Sequence, residues 1–237
     1  YSLSLVDFGG NRMTGTIPGN IGQLSALSYL SLVSNGMTGT IPLVITNMTS
    51  LIHINLGRNF FTGTIPSNIT LLTRLVALSV HDNNLTGTLP YNLGALTYLT
   101  RLYLYMNQFT GQLPDNIGDI QHMIKFDAHS NYLTNTVPTG IGRLSLMEML
   151  FLYENDLTGE IPATLGDMSI LRLLELDRNK FNGEIPASFV QLSILGFMFL
   201  QDNCLTGTIP TSWGTLQYLS FLKLSDNLLS GSLSTSM

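Results

Sequence analysis

Asparagine recurs at a fixed interval of 24 residues along the chain. The ten members of this column are Asn11, Asn35, Asn59, Asn83, Asn107, Asn131, Asn155, Asn179, Asn203 and Asn227. No insertion interrupts the interval anywhere in the 237 residues. Self-similarity at a period between about 20 and 50 residues is typical of repeat architectures, in which each unit packs only on its neighbours. We therefore predict a single solenoid domain over residues 1–237, made of ten 24-residue turns, and number the repeats by their asparagines.

The remaining columns keep the same period. All nine prolines stand seven residues after an asparagine, at Pro18, Pro42, Pro66, Pro90, Pro114, Pro138, Pro162, Pro186 and Pro210. No proline is left for a linker between domains. Apolar residues make up 44% of the chain and charged residues 11%. This composition suits a large continuous core beneath a sparsely charged surface.

The shared frame reads L-x-x-L-x-L-x-x-N-x-L-T-G-x-I-P-x-x-I-G-x-L. Its L-x-L alternation predicts a short strand, and stacked turns place such strands side by side in a parallel sheet. The asparagine amide is expected to bond to backbone groups of neighbouring turns where the chain bends inward. The glycine four residues later predicts a positive φ, and Asn135 replaces it in repeat six. The T-G-T-I-P segment predicts a second strand, and P-x-x-I-G-x-L predicts a 3₁₀ turn.

The L-T-G-x-I-P module in a 24-residue frame resembles the plant-specific class of leucine-rich repeat, over residues 3–233. The resemblance implies an α/β leucine-rich-repeat solenoid with a parallel sheet on its concave face and short 3₁₀ turns on its convex side. That class includes receptor ectodomains, receptor-like proteins and inhibitors of cell-wall-degrading enzymes. Its threonine-rich T-G-T-I-P form also resembles repeat proteins of unicellular algae. The family uses the concave face to bind peptides, proteins or glycans.

One departure from that class affects the expectations. Plant ectodomains usually carry cysteine-paired caps, whereas Cys204 is the only cysteine here. Terminal repeats of a solenoid need a polar cap, so we expect this segment to be part of a longer chain or to have its ends covered. The resemblance also implies an extracellular or cell-surface location. Three sequons, at Asn47, Asn68 and Asn84, would then be candidate N-glycosylation sites.

The outward positions of the first strands predict the binding surface. These positions lie six, four and two residues before each asparagine, and in repeats four to nine they collect aromatic and charged side chains. We expect a continuous ligand-binding patch formed by Arg101, Tyr103, Tyr105, Lys125, Asp127, His129, Met149, Phe151, Tyr153, Glu175, Asp177, Phe197 and Phe199. Tyrosine, phenylalanine and arginine are residue types that concentrate binding energy in interfaces. The predicted function is non-catalytic recognition of a protein, peptide or glycan.

Three alternatives remain open. The aromatic rings can simply pack against one another along the sheet. The chain can be a structural or assembly component whose ends contact neighbouring domains or subunits. It can also bind ice, because repeats one to four carry T-G-T in register, at residues 14–16, 38–40, 62–64 and 86–88. Gln112, Glu160 and Glu184 interrupt that threonine column.

Catalysis, cofactors and metals are not expected. His81 and His129 share a column two turns apart, or roughly 10 Å, with Tyr105 between them, which is too far for one metal ion without a third ligand. Asp127 and His129 have no convincing serine or cysteine nucleophile beside them. The chain has no basic stripe, since its net charge is −5, so nucleic acid is not an expected partner. No apolar run is long enough to predict a membrane span.

Overall fold

The computed structural model describes residues 2–232, which form ten successive turns. Each turn contributes one three-residue strand to a ten-stranded parallel sheet, here called the first sheet. Its strands are Leu5–Asp7, Tyr29–Ser31, His53–Asn55, Ala77–Ser79, Arg101–Tyr103, Lys125–Asp127, Met149–Phe151, Leu173–Glu175, Phe197–Phe199 and Phe221–Lys223. Residues 24 apart are paired throughout, as in Lys125 with Met149. The predicted sheet and its register are confirmed.

A second parallel sheet of eight strands follows the asparagine column. Its strands are Thr14–Gly15, Gly36–Thr40, Phe60–Gly63, Asn84–Thr88, Gln108–Gly111, Tyr132–Asn135, Asp156–Glu160 and Lys180–Asn182. Repeat nine adds only the isolated bridge between Glu184 and Thr206. Nine 3₁₀ segments close the described turns: Gly19–Gln23, Leu43–Asn47, Ser67–Leu71, Leu93–Ala95, Ile117–Asp119, Thr139–Arg143, Ala163–Asp167, Ala187–Gln191 and Thr211–Thr215. All helical segments in residues 2–232 are of this type, as the proline frame predicts.

The core runs continuously through the stack between the two sheets and the 3₁₀ turns. Its leucine, isoleucine and valine columns are buried, and the large side chains Phe61, Phe109, Phe126, Phe181 and Phe189 are each 0% exposed. Because each inward column repeats every 24 residues, every turn covers the core of the previous one. No single repeat could bury these side chains by itself.

The asparagines form a ladder that joins consecutive turns. The Asn59 amide Nδ2 donates to the carbonyls of Leu32, Leu56 and Gly57 at 2.9, 3.2 and 3.1 Å. Its Oδ1 accepts from the backbone N–H of Met37 at 3.0 Å. One side chain thereby satisfies donors and acceptors in two turns that water does not reach. These are bonds of the kind that a structural role for the column requires.

Two columns adopt left-handed backbone conformations. The predicted one is confirmed, since its glycines have φ between 73° and 89° and Asn135 has φ 64°. The residue just before each asparagine is also left-handed, which the sequence does not predict. In repeats two to ten this second column contains no glycine, and its φ lies between 50° and 56°. Such a conformation costs a residue with a Cβ roughly 1–2 kcal/mol, so the asparagine bonds hold a bend that the local sequence disfavours.

The extent of the first strands differs from the prediction. Three outward columns were expected on each strand, but each strand ends at the position four residues before the asparagine. The third column, which includes Tyr105, His129, Tyr153 and Asp177, lies just beyond the strand end. The physical reason is the left-handed residue that follows it, which turns the backbone out of the extended conformation.

Candidate ligand-binding face

The outward side of the first sheet in repeats four to nine, with the column beyond its strand ends, is called the strand face below. It gathers the thirteen predicted binding residues on consecutive, hydrogen-bonded turns. Arg101 and Phe197 are exposed, Asp127 and Asp177 are buried, and the other nine are half-buried. Most of the aromatic rings expected to be exposed are therefore partly covered by their neighbours.

Four rings on the strand face form a stack that runs along the solenoid axis. The ring centroids are 4.4 Å apart from His81 to Tyr105, 4.6 Å from Tyr105 to His129 and 4.3 Å from His129 to Tyr153. The interplanar angles do not exceed 10°. These rings do pack on one another, as the packing alternative proposes, and all four residues are half-buried.

Lys125 lies at the centre of the strand face between two aromatic rings. Its Nζ is 5.1 Å from the ring centroid of Tyr103 and 4.7 Å from that of Phe151. The same ammonium is 3.8 Å from Oδ2 of Asp127. The other carboxylate oxygen of Asp127 is 2.6 Å from Nδ1 of His129. The Lys125 ammonium is thus held by the charge of the Asp127 carboxylate and by cation–π attraction to the two flanking rings.

Two further acids on the strand face have no such cation. Glu175 and Asp177 form no ion pair within residues 2–232, although Asp177 is only 7% exposed. Burial, reinforced by neighbouring carboxylates, raises the pKa of both groups. Burial and the same acids raise the pKa of Tyr153 to about 12. The repeat seven and eight part of the strand face is therefore electronegative and partly desolvated.

The sequence does not predict a concavity of about 390 Å³ that opens beside the ring stack in repeats two to five. Its floor is made of small or polar residues, among them Asn55, Ala77 and Ser79, and its walls are aromatic. Tyr29 and His53 form one wall, with ring centroids 5.7 Å apart. The opposite wall is formed by His81, Tyr103 and Tyr105. The small side chains of repeats three and four are the sequence signal for this space.

Gly57 explains how His81 joins the ring stack. A Cβ at this position would lie 2.5 Å from Nε2 of His81, closer than any real contact allows. Only glycine lets the imidazole lie flat across repeat three. Burial lowers the pKa of His81, so its neutral form is favoured on this wall of the concavity.

The threonine column lies on the second sheet, away from the strand face. Thr38, Thr62 and Thr86 donate their hydroxyls to glycine carbonyls of the preceding turns at 3.3–3.4 Å. Thr40 and Thr64 instead pack their methyl groups where the next turn has its glycine. Both columns are exposed in repeats one to four, and so are the sequon residues Asn47, Asn68 and Asn84. Glycosylation of these residues remains a prediction.

The two histidines of the ring stack and the acids of the strand face do not converge on one point. Residues 2–232 contain no group of three histidine, cysteine, aspartate or glutamate side chains that could hold a metal ion. Tyr105 stands between the rings of His81 and His129 and separates them. No helix in this part of the chain is long and apolar enough to cross a membrane.

Comparison with known proteins agrees with this architecture. A family model described as Leucine Rich Repeat matches residues 50–72, 74–96, 98–120 and 171–192. The plant peptide hormone receptor RGFR1, solved in complex with RGF2, is similar at 33% identity and a TM-score of 0.97, over 99% of this chain and 38% of that one. The structure of PEPR1 with AtPEP1 is similar at 31% identity and a TM-score of 0.89, over 98% and 36%. No curated protein matches the sequence.

The chain is therefore a leucine-rich-repeat protein, with repeats of the plant type. It spans less than two fifths of the length of the RGFR1 and PEPR1 chains. A plant ice-binding protein is also similar, at 26% identity and a TM-score of 0.75, over 97% of this chain and 74% of that one.

Proposed function

We propose that this chain is a non-catalytic recognition module that binds an extended peptide segment along the strand face. The observation that carries the proposal is the continuous run of aromatic and charged side chains, most of them half-buried, on consecutive turns from Arg101 to Phe199. Aromatic rings held in fixed positions offer contact area at little cost in conformational entropy. The similarity to RGFR1, which is described as a plant peptide hormone receptor, supports a peptide rather than a glycan, and its description as a receptor supports an extracellular location.

The proposal is tested with a displayed library of random linear peptides selected on the wild-type protein. Selected peptides are then measured against a face variant in which Tyr105, Phe151 and Tyr153 are changed to alanine. The matched control changes Phe60, Tyr91 and Tyr132, which are 59%, 80% and 56% exposed and lie outside the first sheet. Each variant thereby loses three aromatic rings.

We expect the selected peptides to bind the control as they bind wild type and to lose at least about tenfold in affinity for the face variant, because hot-spot rings are worth 1–2 kcal/mol or more each. Circular dichroism and thermal unfolding are the controls that both variants remain folded at the assay temperature. Equal affinity for the face variant and wild type would reject the strand face as the binding surface.

Ice binding through the threonine column is the second candidate function. The observation that favours it is the pair of exposed threonine columns in repeats one to four, together with the similarity to a plant ice-binding protein over most of both chains. The structure also gives these threonines a packing role. At position 160 the Cγ of a glutamate fills the same place beside Gly183 that a threonine methyl fills beside Gly87.

Inhibition of ice recrystallisation by the purified protein tests this candidate. Thr62→Arg places a long charged side chain in the middle of the columns, and Thr97→Arg adds the same charge at an exposed position elsewhere. Ice binding requires inhibition by wild type and by the Thr97 variant, with loss in the Thr62 variant. Absence of inhibition by wild type dismisses the candidate.

A further inference from the structure

We infer that the strand face binds a basic side chain of its peptide ligand at one defined place, over Glu175 and between the rings of Phe151 and Phe199. This inference rests on the proposed recognition function and adds the chemistry of one ligand residue. The ligand group is an alkyl ammonium or guanidinium. Its position follows from a comparison of repeats within this one chain.

Repeat six shows how this surface holds a cation. Asp127 is paired across the sheet with Tyr103 on one side and Phe151 on the other. The Nζ of Lys125 lies over both rings, at 5.1 and 4.7 Å, and 3.8 Å from the carboxylate. The lysine comes from the outward position two residues before the acid. Across three neighbouring strands the order is therefore an aromatic ring, a carboxylate and a second aromatic ring, and the ammonium lies above the carboxylate.

Repeat eight builds the same arrangement two turns further along. Glu175 is paired with Phe151 on one side and Phe199 on the other. The flanking residues are thus two strand spacings apart, roughly 9.6 Å, as they are around Asp127. The outward position two residues before Glu175 holds Leu173 instead of a lysine. The repeat therefore presents the rings and the acid without an ammonium of its own.

The carboxylates at this place are left without an ion pair. Glu175 has none within residues 2–232, and the nearby Lys125 is engaged by Asp127. Asp177, on the same turn, lies about 6.7 Å further along the chain direction and is itself buried. Burial of both acids raises their pKa. A cation from a ligand would relieve this cost and would contact two aromatic faces, which is the combination that favours lysine or arginine.

The third ring of the series has its own cation contact. The Nζ of Lys223 is 5.3 Å from the ring centroid of Phe199. Lys223 belongs to the turn beyond Phe199, so it approaches the far side of that ring from Glu175. The first sheet uses this interaction at two places, with Lys125 and Lys223, and the Glu175 position lies between them.

The experiment uses acetyl-Gly-Lys-Gly-amide as the probe, titrated into the protein and followed by proton NMR. A lysine ε-methylene between two rings shifts upfield, so its chemical shift reports the site directly. The same peptide with norleucine in place of lysine is the control for apolar contact. Spermidine is titrated in parallel, because an alkyl ammonium can also come from a free polyamine.

Three variants decide the outcome. Glu175→Gln removes the charge, and Glu184→Gln removes an equal charge from the second sheet. Leu173→Lys supplies the ammonium internally, as Lys125 does for Asp127. We expect upfield-shifted binding by wild type and by the Glu184 variant, a loss of at least about fivefold in affinity in the Glu175 variant, and no detectable binding to the Leu173 variant.

If Glu175→Gln and Glu184→Gln weaken binding of the lysine peptide equally, the effect comes from net charge alone and the inference is overturned. Binding of the norleucine peptide, or of spermidine more tightly than the lysine peptide, would also overturn it. If library peptides need the strand face but ignore Glu175→Gln, the recognition function stands and this inference fails. If the lysine probe needs Glu175 while no library peptide needs the strand face, the cation site stands and the recognition function fails.

Discussion

Substitution of Asn107 by alanine tests whether the asparagine ladder holds the turns together. Its Oδ1 accepts from the backbone N–H of Leu85 at 3.0 Å. Its Nδ2 donates to the carbonyls of Val80, Leu104 and Tyr105 at 3.0, 3.0 and 3.3 Å. The side chain is 7% exposed, so water cannot replace these bonds without local opening.

The cost of the substitution follows from which partners stay satisfied. The Val80 carbonyl also accepts from Asn83 at 3.0 Å, and the Leu104 carbonyl also accepts from Asn131 at 3.2 Å. The N–H of buried Leu85 has no such second partner from the ladder. An orphaned buried donor costs about 1–3 kcal/mol, and each lost bond about 1 kcal/mol more. With three lost bonds beside the orphaned donor, we expect Asn107→Ala to lower the free energy of unfolding by about 4–6 kcal/mol, part of it carried by local opening.

Asn11→Ala is the matched control, because Asn11 is exposed and bonds only within its own turn, to the carbonyls of Phe8 and Gly9. We expect it to cost no more than about 1 kcal/mol. Denaturant unfolding measures both variants, and amide hydrogen exchange at Leu85 reports the local effect. Equal costs for the two variants, or unchanged exchange at Leu85, would refute the ladder as the source of stability between turns.

Three further changes test other parts of the fold by thermal or denaturant unfolding. Gly87→Ala should cost about 1–3 kcal/mol, since φ is 77° there and the new Cβ would meet the Thr64 methyl at 2.7 Å; Thr64→Ser should recover part of the loss, and no recovery would point to φ alone. Met106→Gly should leave stability unchanged or raise it by up to about 1 kcal/mol, because Met106 has φ 54°, and a clear loss would argue against strain. Burial raises the pKa of Asp177, so the folded state is favoured while this carboxyl is protonated and loses that advantage as the carboxyl ionises at higher pH. Asp177→Asn should therefore raise the free energy of unfolding at pH 7, and its difference from wild type should vanish below about pH 4. A difference that does not change with pH would contradict the reasoning.

The repeat explains why so much of the fold can be predicted. One frame observed ten times specifies the strand, the bend, the second strand and the 3₁₀ turn. Asn135 replaces the glycine in repeat six, and because asparagine tolerates the left-handed conformation, this exception identifies the position as left-handed. The left-handed residue before each asparagine could not be predicted in the same way. That column contains serine, arginine, aspartate, methionine and glutamate, so its conformation comes from bonds made by the following asparagine and not from local preference.

Membership of the strand face follows from the sequence, because the period of 24 places its residues in columns. The way in which those side chains divide the space follows from the folded structure. That structure stacked two histidines with two tyrosines, buried Asp127 under Lys125, left Glu175 without an ion pair among residues 2–232 and opened a concavity over Ala77 and Ser79. These outcomes depend on contacts between turns, in which a small residue such as Gly57 or a leucine at position 173 changes what its neighbour can do. Such contacts have no signature within any single repeat.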